Sequence, residues 1–305
     1  MKRCAAFIIV VLVLWATPAL CVESSILVMD MAGGKATMAS GPMAGTELSP
    51  MDFLLPEDSV TVPKGVRLVL NYLDSGLREE IIGPAVLTVG KTQSALTQGA
   101  PGQLKRESLD YMPDKAKVAL AEAQNFGNVA FRDVSTAKSP PAIRILSLMN
   151  TAVMPGTRPS LRFLPVDGAE SYLVVMKDNS GATLQNVPLD QGPYSPDPSY
   201  LTPGRQLAWT LTALKGGQPL AEAQGKFSVL AKDSAAALKT ETARLKAKRK
   251  AESTEGQVFL SLLYQGYGLN DDAAEVLLAL AKKNPDNLAI TRRLEALNPA
   301  LVPKP

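Results

Sequence analysis

The run Gln206-Leu207-Ala208-Trp209-Thr210-Leu211-Thr212-Ala213 alternates large apolar residues with polar or small ones. Side chains two positions apart lie on the same face of a β-strand, so Leu207, Trp209 and Leu211 share one face. This period of two predicts a half-buried strand rather than a helix. The pair Gly216-Gly217 then predicts a tight turn, as expected within an antiparallel β domain.

Strand and turn patterns continue on both sides of this run, over residues 159–231. Upstream, Ser171–Lys177 contains the apolar run Tyr172–Met176 and is predicted to be a strand. It is followed by Asp178-Asn179-Ser180-Gly181, a sequence typical of a tight turn and lacking the alternating ligands of a calcium loop. Pro-rich residues 184–200 leave the number of strands open.

Three motifs of this segment resemble those of a known fold: Arg-Phe-Leu-Pro-Val-Asp-Gly-Ala-Glu-Ser-Tyr at 162–172, Leu-Thr-Pro-Gly at 201–204 and Leu-Ala-Trp-Thr-Leu-Thr-Ala at 207–213. They are similar to fibronectin type III or related immunoglobulin-like sandwiches of exported bacterial proteins. The resemblance implies a β-sandwich with Tyr172 and Trp209 in its core.

Residues 24–95 predict a separate, small all-β module, because short apolar strands alternate with Gly and Pro turns. The clearest strand is Val66–Tyr72. The elements Gly45-Thr46-Glu47-Leu48, Asp58–Val62 and Gly83-Pro84-Ala85 resemble the FecR-type periplasmic domain. The resemblance implies a periplasmic β module; the transmembrane helix and anti-sigma segment of the best-known members have no counterpart in this sequence.

Residues 96–158 are predicted to be a linker with one short helix. Asp114–Gln124 is rich in helix-forming residues and begins after Pro113. The clusters Ser139-Pro140-Pro141 and Pro155–Pro159 interrupt regular structure, as is typical of a domain boundary.

Residues 233–298 are predicted to be helical throughout, with helices over 234–252, 254–267, from 271 onward and over 288–297. The stretch Leu262–Asn287 resembles one tetratricopeptide-type unit, in which small residues let two helices pack closely. The predicted fold class is therefore multidomain, β plus α: a small all-β N-terminal module, an immunoglobulin-like β-sandwich and C-terminal α-helical hairpins.

The first 21 residues have the pattern of a secretory signal peptide. Lys2 and Arg3 precede the apolar run Ala5–Trp15, and small residues end at Cys21. The apolar run is shorter than the ~20 residues of a spanning helix. We therefore predict a periplasmic or secreted protein with a cleaved signal peptide. A membrane-anchored form, through an uncleaved signal or a lipidated Cys21, is the alternative.

The composition removes several classes of chemistry. The sequence has no histidine, which excludes Ser-His-Asp and Cys-His catalysis and histidine-based metal sites. Both cysteines, Cys4 and Cys21, lie in the predicted signal peptide. Without Lys2 and Arg3, the remaining 30 basic and 29 acidic residues nearly balance, so no electrostatic argument favours nucleic acid. We predict no catalytic residue, no cofactor and no metal.

Three sequence patterns that can mark reactive sites have simpler interpretations here. Ser135-Thr136-Ala137-Lys138 matches the Ser-x-x-Lys pattern of penicillin-binding enzymes, but its companion motifs are absent. Glu79 and Glu80 are adjacent and so face opposite sides of a strand. The acidic group of Asp271, Asp272 and Glu275 is predicted to cap a helix.

The candidate partner-binding residues lie in the helical region. Tyr264 and Tyr267 either line a peptide groove between helices or simply pack the helical pair. Arg244, Lys248 and Arg249 belong to a basic cluster that either contacts an acidic partner or an anionic membrane surface, or is a solvated helix face.

The predicted function is a non-enzymatic, periplasmic scaffold that binds other envelope proteins by edge-strand or groove contacts. The alternative is a peptidoglycan or carbohydrate binder. That alternative needs exposed aromatic side chains on the first β module, where Tyr72 and Phe53 are the candidates.

Overall fold

The computed structural model describes residues 26–40, 44–109, 113–119, 142–248 and 252–302. Within these residues it has three β-sheets and five α-helices, which confirms the predicted mixture of β and α structure. The predicted signal peptide, residues 1–21, lies outside the described residues, as do residues 120–141 of the predicted linker. No helix among the described residues is long and apolar enough to cross a membrane.

The first β module is a sandwich of two antiparallel sheets, ordered β3-β1-β5-β6-β9 and β2-β4-β7-β8. Its strands are β1 (Ile26–Ala32), β2 (Thr37–Met38), β3 (Phe53–Leu54), β4 (Ser59–Val62), β5 (Arg67–Tyr72), β6 (Leu77–Ile82), β7 (Ala85–Thr88), β8 (Ala95–Gln98) and β9 (Leu104–Ser108). Alternate side chains of both sheets, including Val28, Val60, Leu70 and Leu87, form a shared buried core.

Strand pairing in this module continues past the predicted boundary at residue 95. β8 pairs with β7, and β9 pairs with β6, so the module extends to Ser108. β9 is an edge strand with the sequence Leu-Lys-Arg-Glu-Ser, and its side chains are mostly exposed. Because an exposed edge strand lacks the apolar alternation of a buried one, the sequence pattern did not indicate it.

The second β module contains one five-stranded sheet, ordered β10-β14-β13-β11-β12. Its strands are β10 (Thr151–Val153), β11 (Ser171–Asp178), β12 (Thr183–Leu189), β13 (Gln206–Lys215) and β14 (Gln218–Val229). β10 pairs in parallel with β14, and the other pairs are antiparallel. Isolated antiparallel bridges join Ile145 with Phe163 and Leu161 with Tyr194, and Ile145, Leu161 and Tyr194 are buried in the core of this module.

The predicted linker includes residues 143–158, which reach from the Ser139-Pro140-Pro141 cluster into the cluster that begins at Pro155, but much of this stretch belongs to the second module. Ile143, Ile145 and Leu148 are buried in its core together with Trp209. The Trp209 indole N–H donates a 2.7 Å hydrogen bond to the Leu148 carbonyl. β10 has only three residues, which is too short for a periodic pattern to be recognised.

The helices are α1 (residues 114–119), α2 (Lys232–Lys248), α3 (Thr254–Gly266), α4 (Asn270–Lys283) and α5 (Leu288–Leu297). Ser253 and Asn287 cap α3 and α5, since each side chain accepts a hydrogen bond from a backbone N–H of the first turn. Helices α3, α4 and α5 pack consecutively and, with α2, form the helical unit.

The helical unit packs against both β modules. Leu27 and Val69 on the outer face of the first module join a buried cluster with Phe259, Leu262 and Leu277 of α3 and α4. A second, smaller cluster contains Ala152 of β10, Leu238 of α2, and Leu263 and Leu269 at the α3–α4 turn. The helices therefore fix the two β modules relative to each other.

Candidate functional site

The segment before β10 connects the second β module to the α3–α4 turn. Its backbone is left-handed at Leu148 (φ 59°) and Asn150 (φ 51°). The Asn270 side-chain amide donates to the Asn150 carbonyl at 2.7 Å, and the Ala152 N–H donates to the Gly268 carbonyl at 2.7 Å. These bonds hold the turn firmly against the end of the sheet.

Asp271 lies at this junction and does not cap its helix. The residue at the N-cap position of α4 is Leu269, which provides no side-chain cap. The Asp271 carboxylate instead accepts a 2.7 Å hydrogen bond from the Leu148 N–H. Burial raises the pKa of Asp271 to about 6, and the Leu148 hydrogen bond opposes that rise in pKa only in part. The capping prediction missed this contact because its partner is 123 residues away.

A groove of about 320 Å³ opens beside this junction, between α2 and the α3–α4 turn. Its floor is apolar and is formed by Met154, Leu238, Leu269 and the ring of Tyr264. Leu238 and Leu269 are almost fully buried, so the apolar surface that a ligand can reach comes from the partly exposed Met154 and Tyr264. We call this concavity the α2 groove.

The rim of the α2 groove carries charged and polar groups. Lys239 and Lys246 line it from α2, and Asp272 lines it from α4. Burial, followed by the charge of Glu275, raises the pKa of Asp272 above its ordinary value. On α2 the Thr242 hydroxyl, one turn from each lysine, is buried and has no hydrogen-bond partner among the described residues.

The structure separates the five predicted binding residues. Tyr264 lines the α2 groove, and burial raises the pKa of its hydroxyl. Tyr267 instead lies near α1, with the Lys115 ammonium 6.0 Å from its ring centroid. Arg244 and Lys248 are exposed on a different side of α2 from the groove, and Arg249 lies outside the described residues.

The sequence patterns did not predict that the α2 residues lining the groove belong to one site. Lys239, Thr242, Ala243 and Lys246 are spaced at three, four and seven positions, which places them on one face of a helix. The binding residues predicted on α2 were instead the like charges near its end, Arg244 and Lys248. The spacing of these residues along the helix, rather than the local density of charge, identifies the face of α2 that lines the groove.

A second concavity, of about 570 Å³, lies along the edge strand β12. The Gln185 side chain accepts hydrogen bonds from the Tyr194 hydroxyl and from the Asp197 N–H, so residues 194–197 are held beside the strand. Pro188 also removes one backbone donor from β12. These features weaken β12 as a template for strand addition.

The two aromatic candidates for glycan binding are not exposed on the first module. Tyr72 is fully buried, and its hydroxyl hydrogen-bonds with Ser94 Oγ at 2.6 Å. Phe53 is partly buried against the cluster that joins the first module to the helices. Neither side chain provides the exposed platform that the carbohydrate alternative requires.

The described residues contain no group of three or more His, Cys, Asp or Glu side chains placed to hold a metal ion. Comparison with protein-family models and with curated proteins finds no match to this chain.

Proposed function

We propose that this protein is an exported, non-enzymatic scaffold of the bacterial cell envelope that binds a partner protein in the α2 groove. The observation that carries this proposal is the groove itself, which combines an apolar floor with a charged rim. Concave sites of this kind bind ligands through apolar contact and take their specificity from a few polar groups.

The position of the groove also favours a scaffolding role. It lies where the helical unit meets the second β module, while the other side of the same helices packs on the first module. A partner held there is presented in a fixed orientation relative to both β modules. The export pattern of residues 1–21 and the resemblances to FecR-type, fibronectin type III and tetratricopeptide modules favour an envelope location.

Affinity capture from envelope extracts of the native host tests this function. Ala243 is exposed and lines the groove, so Ala243→Trp fills the groove without removing a buried contact. We expect wild-type protein to retain a specific envelope protein that Ala243→Trp loses. The matched control, Lys64→Trp, lies in an exposed turn of the first module and is expected to retain it.

Equal recovery of the same proteins by wild type and Ala243→Trp contradicts binding in the α2 groove. Recovery of cell-wall polysaccharide in place of a specific protein contradicts the scaffolding function and supports the glycan alternative.

A further inference from the structure

The α2 helix carries an excess of positive charge. Lys232–Lys248 contains five Lys or Arg residues and two acidic residues. Lys239 and Lys246 are exposed on the groove rim, and neither forms an ion pair with a described residue. Two such ammonium groups on one wall attract an anionic ligand.

Thr242 adds a second, independent observation on the same wall. Its hydroxyl oxygen is buried without a hydrogen-bond partner among the described residues, although the residue lines the groove. A buried hydroxyl without a hydrogen-bond partner destabilises the fold. Because the hydroxyl oxygen has almost no accessible surface, the Thr242 side chain must turn toward the groove before it can donate a hydrogen bond to a ligand oxygen bound between Lys239 and Lys246.

The geometry points to the chemistry of the partner: we propose that the α2 groove binds an acidic peptide segment of a partner protein. One apolar side chain of the segment lies against Met154 and Tyr264, above the buried Leu238 and Leu269. A neighbouring carboxylate lies between Lys239 and Lys246. This inference rests on the proposed function and specifies the partner that the groove selects.

The opposite wall favours a peptide over a membrane surface. Asp272 lines that wall, and Glu275 is close enough to raise its pKa. A peptide has backbone N–H groups that can donate to Asp272, whereas the phosphate diester of a lipid has no donor to offer this wall. The recessed apolar floor also fits a single side chain better than a flat bilayer.

Selection of random 12-residue peptides by phage display on the purified chain, without residues 1–21, tests the proposal. We expect the enriched peptides to have a net negative charge and to contain a Leu, Ile or Phe beside an acidic residue. Their affinity, measured by fluorescence anisotropy on labelled synthetic peptides, is expected to fall at least about tenfold in Lys239→Glu/Lys246→Glu. Higher salt is expected to weaken binding as well.

The charge-matched control is Lys64→Glu/Lys91→Glu, since both lysines are exposed in loops of the first module. We expect this variant to bind the selected peptides within about twofold of wild type. Thr242→Val tests the contribution of the unsatisfied hydroxyl separately. We expect this substitution to lower the affinity for acidic peptides more than the affinity for peptides in which the acid is replaced by its amide.

Results that contradict the acidic-peptide inference differ from results that contradict the proposed function. Enrichment of neutral or basic peptides that Ala243→Trp blocks would overturn the acidic-peptide proposal and leave groove binding intact. Failure to enrich any peptide, or enrichment only of peptides insensitive to Ala243→Trp, would overturn both. Binding to phosphatidylglycerol vesicles that Lys239→Glu/Lys246→Glu abolishes, with no competition from acidic peptides, would assign the lysines to a membrane surface.

Discussion

The backbone N–H of Leu148 donates a 2.7 Å hydrogen bond to the carboxylate of Asp271, and this contact links the second β module to α4. The Leu148 carbonyl accepts a hydrogen bond from Trp209. The sequence has two tryptophans, and the other one, Trp15, lies in the predicted signal peptide. Fluorescence of a chain that lacks residues 1–21 therefore reports directly on the segment that Asp271 holds.

The stability of this junction is expected to depend on pH through Asp271. Its pKa is raised from 3.8 to about 6, chiefly by burial. Because the folded chain holds this proton more tightly than the unfolded chain, the carboxyl group stabilises the fold below about pH 4. That contribution is lost as the pH rises through about 6.

We expect Asp271→Asn to flatten this dependence, with a difference on the order of 2 kcal/mol between about pH 4 and 7. Urea unfolding followed by Trp209 fluorescence measures it. Parallel stability curves for wild type and Asp271→Asn across that range would contradict the assignment.

Gly266 of α3 is predicted not to tolerate a methyl group. A Cβ at Gly266 would lie 2.1 Å from the carbonyl oxygen of Lys115, so α1 would have to move. Alanine favours a helix interior by about 1 kcal/mol over glycine, but overpacking typically costs about 1–3 kcal/mol. We expect Gly266→Ala to lower the free energy of unfolding, as measured by chemical denaturation.

Gly102→Ala is the control for this substitution, since a Cβ there has no heavy atom within 4 Å. Unchanged or increased stability of Gly266→Ala would show that α1 and α3 do not pack this closely in solution.

The ion pair between Arg78 of β6 and Glu255 of α3 is expected to stabilise the contact between the first module and the helical unit. Arg78 Nε lies 3.3 Å from Glu255 Oε1, and the two side chains are only 14% and 12% exposed. A double-mutant cycle with Arg78→Met and Glu255→Gln is expected to give a coupling free energy of about 1–2 kcal/mol.

The pair Arg162 and Glu275 provides the comparison. These side chains are 51% and 70% exposed and lie 3.8 Å apart, so we expect a coupling below about 0.5 kcal/mol. Equal coupling in the two cycles would show that burial does not strengthen the Arg78–Glu255 contact.

Glu79 is expected to be required for the stability of the first module. Its side chain is fully buried, accepts a hydrogen bond from the Ser94 N–H at 3.0 Å and pairs with Arg106 Nε at 2.9 Å. Glu79→Gln removes the charge while keeping the shape, and we expect a loss of about 2 kcal/mol by thermal or chemical unfolding.

The neighbouring pair provides a control: Glu107, which is 63% exposed, pairs with Arg78 at 3.3 Å. We expect Glu107→Gln to cost less than about 0.5 kcal/mol. If both substitutions have the same small effect, the buried network around Glu79 is not formed.

Local patterns predicted the secondary structure well where one face of an element is buried. Leu207, Trp209, Leu211 and Ala213 are all buried on one face of β13, as their alternation predicted. The predicted helix over 288–297 matches α5, because Asn287 supplies a strong N-cap signal. The separation of Glu79 and Glu80 onto opposite faces was also correct, since Glu79 is buried and Glu80 is partly exposed.

Contacts between distant parts of the chain were not predictable from these patterns. Leu27 and Met29 look like ordinary strand residues, and nothing local indicates that α3 and α4 cover them. The α2 groove was not predictable for the same reason, because its lining residues come from α2, the α3–α4 turn and Met154 after β10. A periodic pattern identifies which face of an element is apolar, but not which other element it packs against.

The hydrogen bond from the Asn287 side chain to the Pro50 carbonyl spans 237 positions of the chain. The outer sheet surface around Leu27 and Val69 is thus covered by helices that are synthesised long after it. Until those helices emerge, this apolar surface is open to aggregation, and closing such distant contacts is slow. The nascent chain should therefore depend on a holding chaperone until these helices are available.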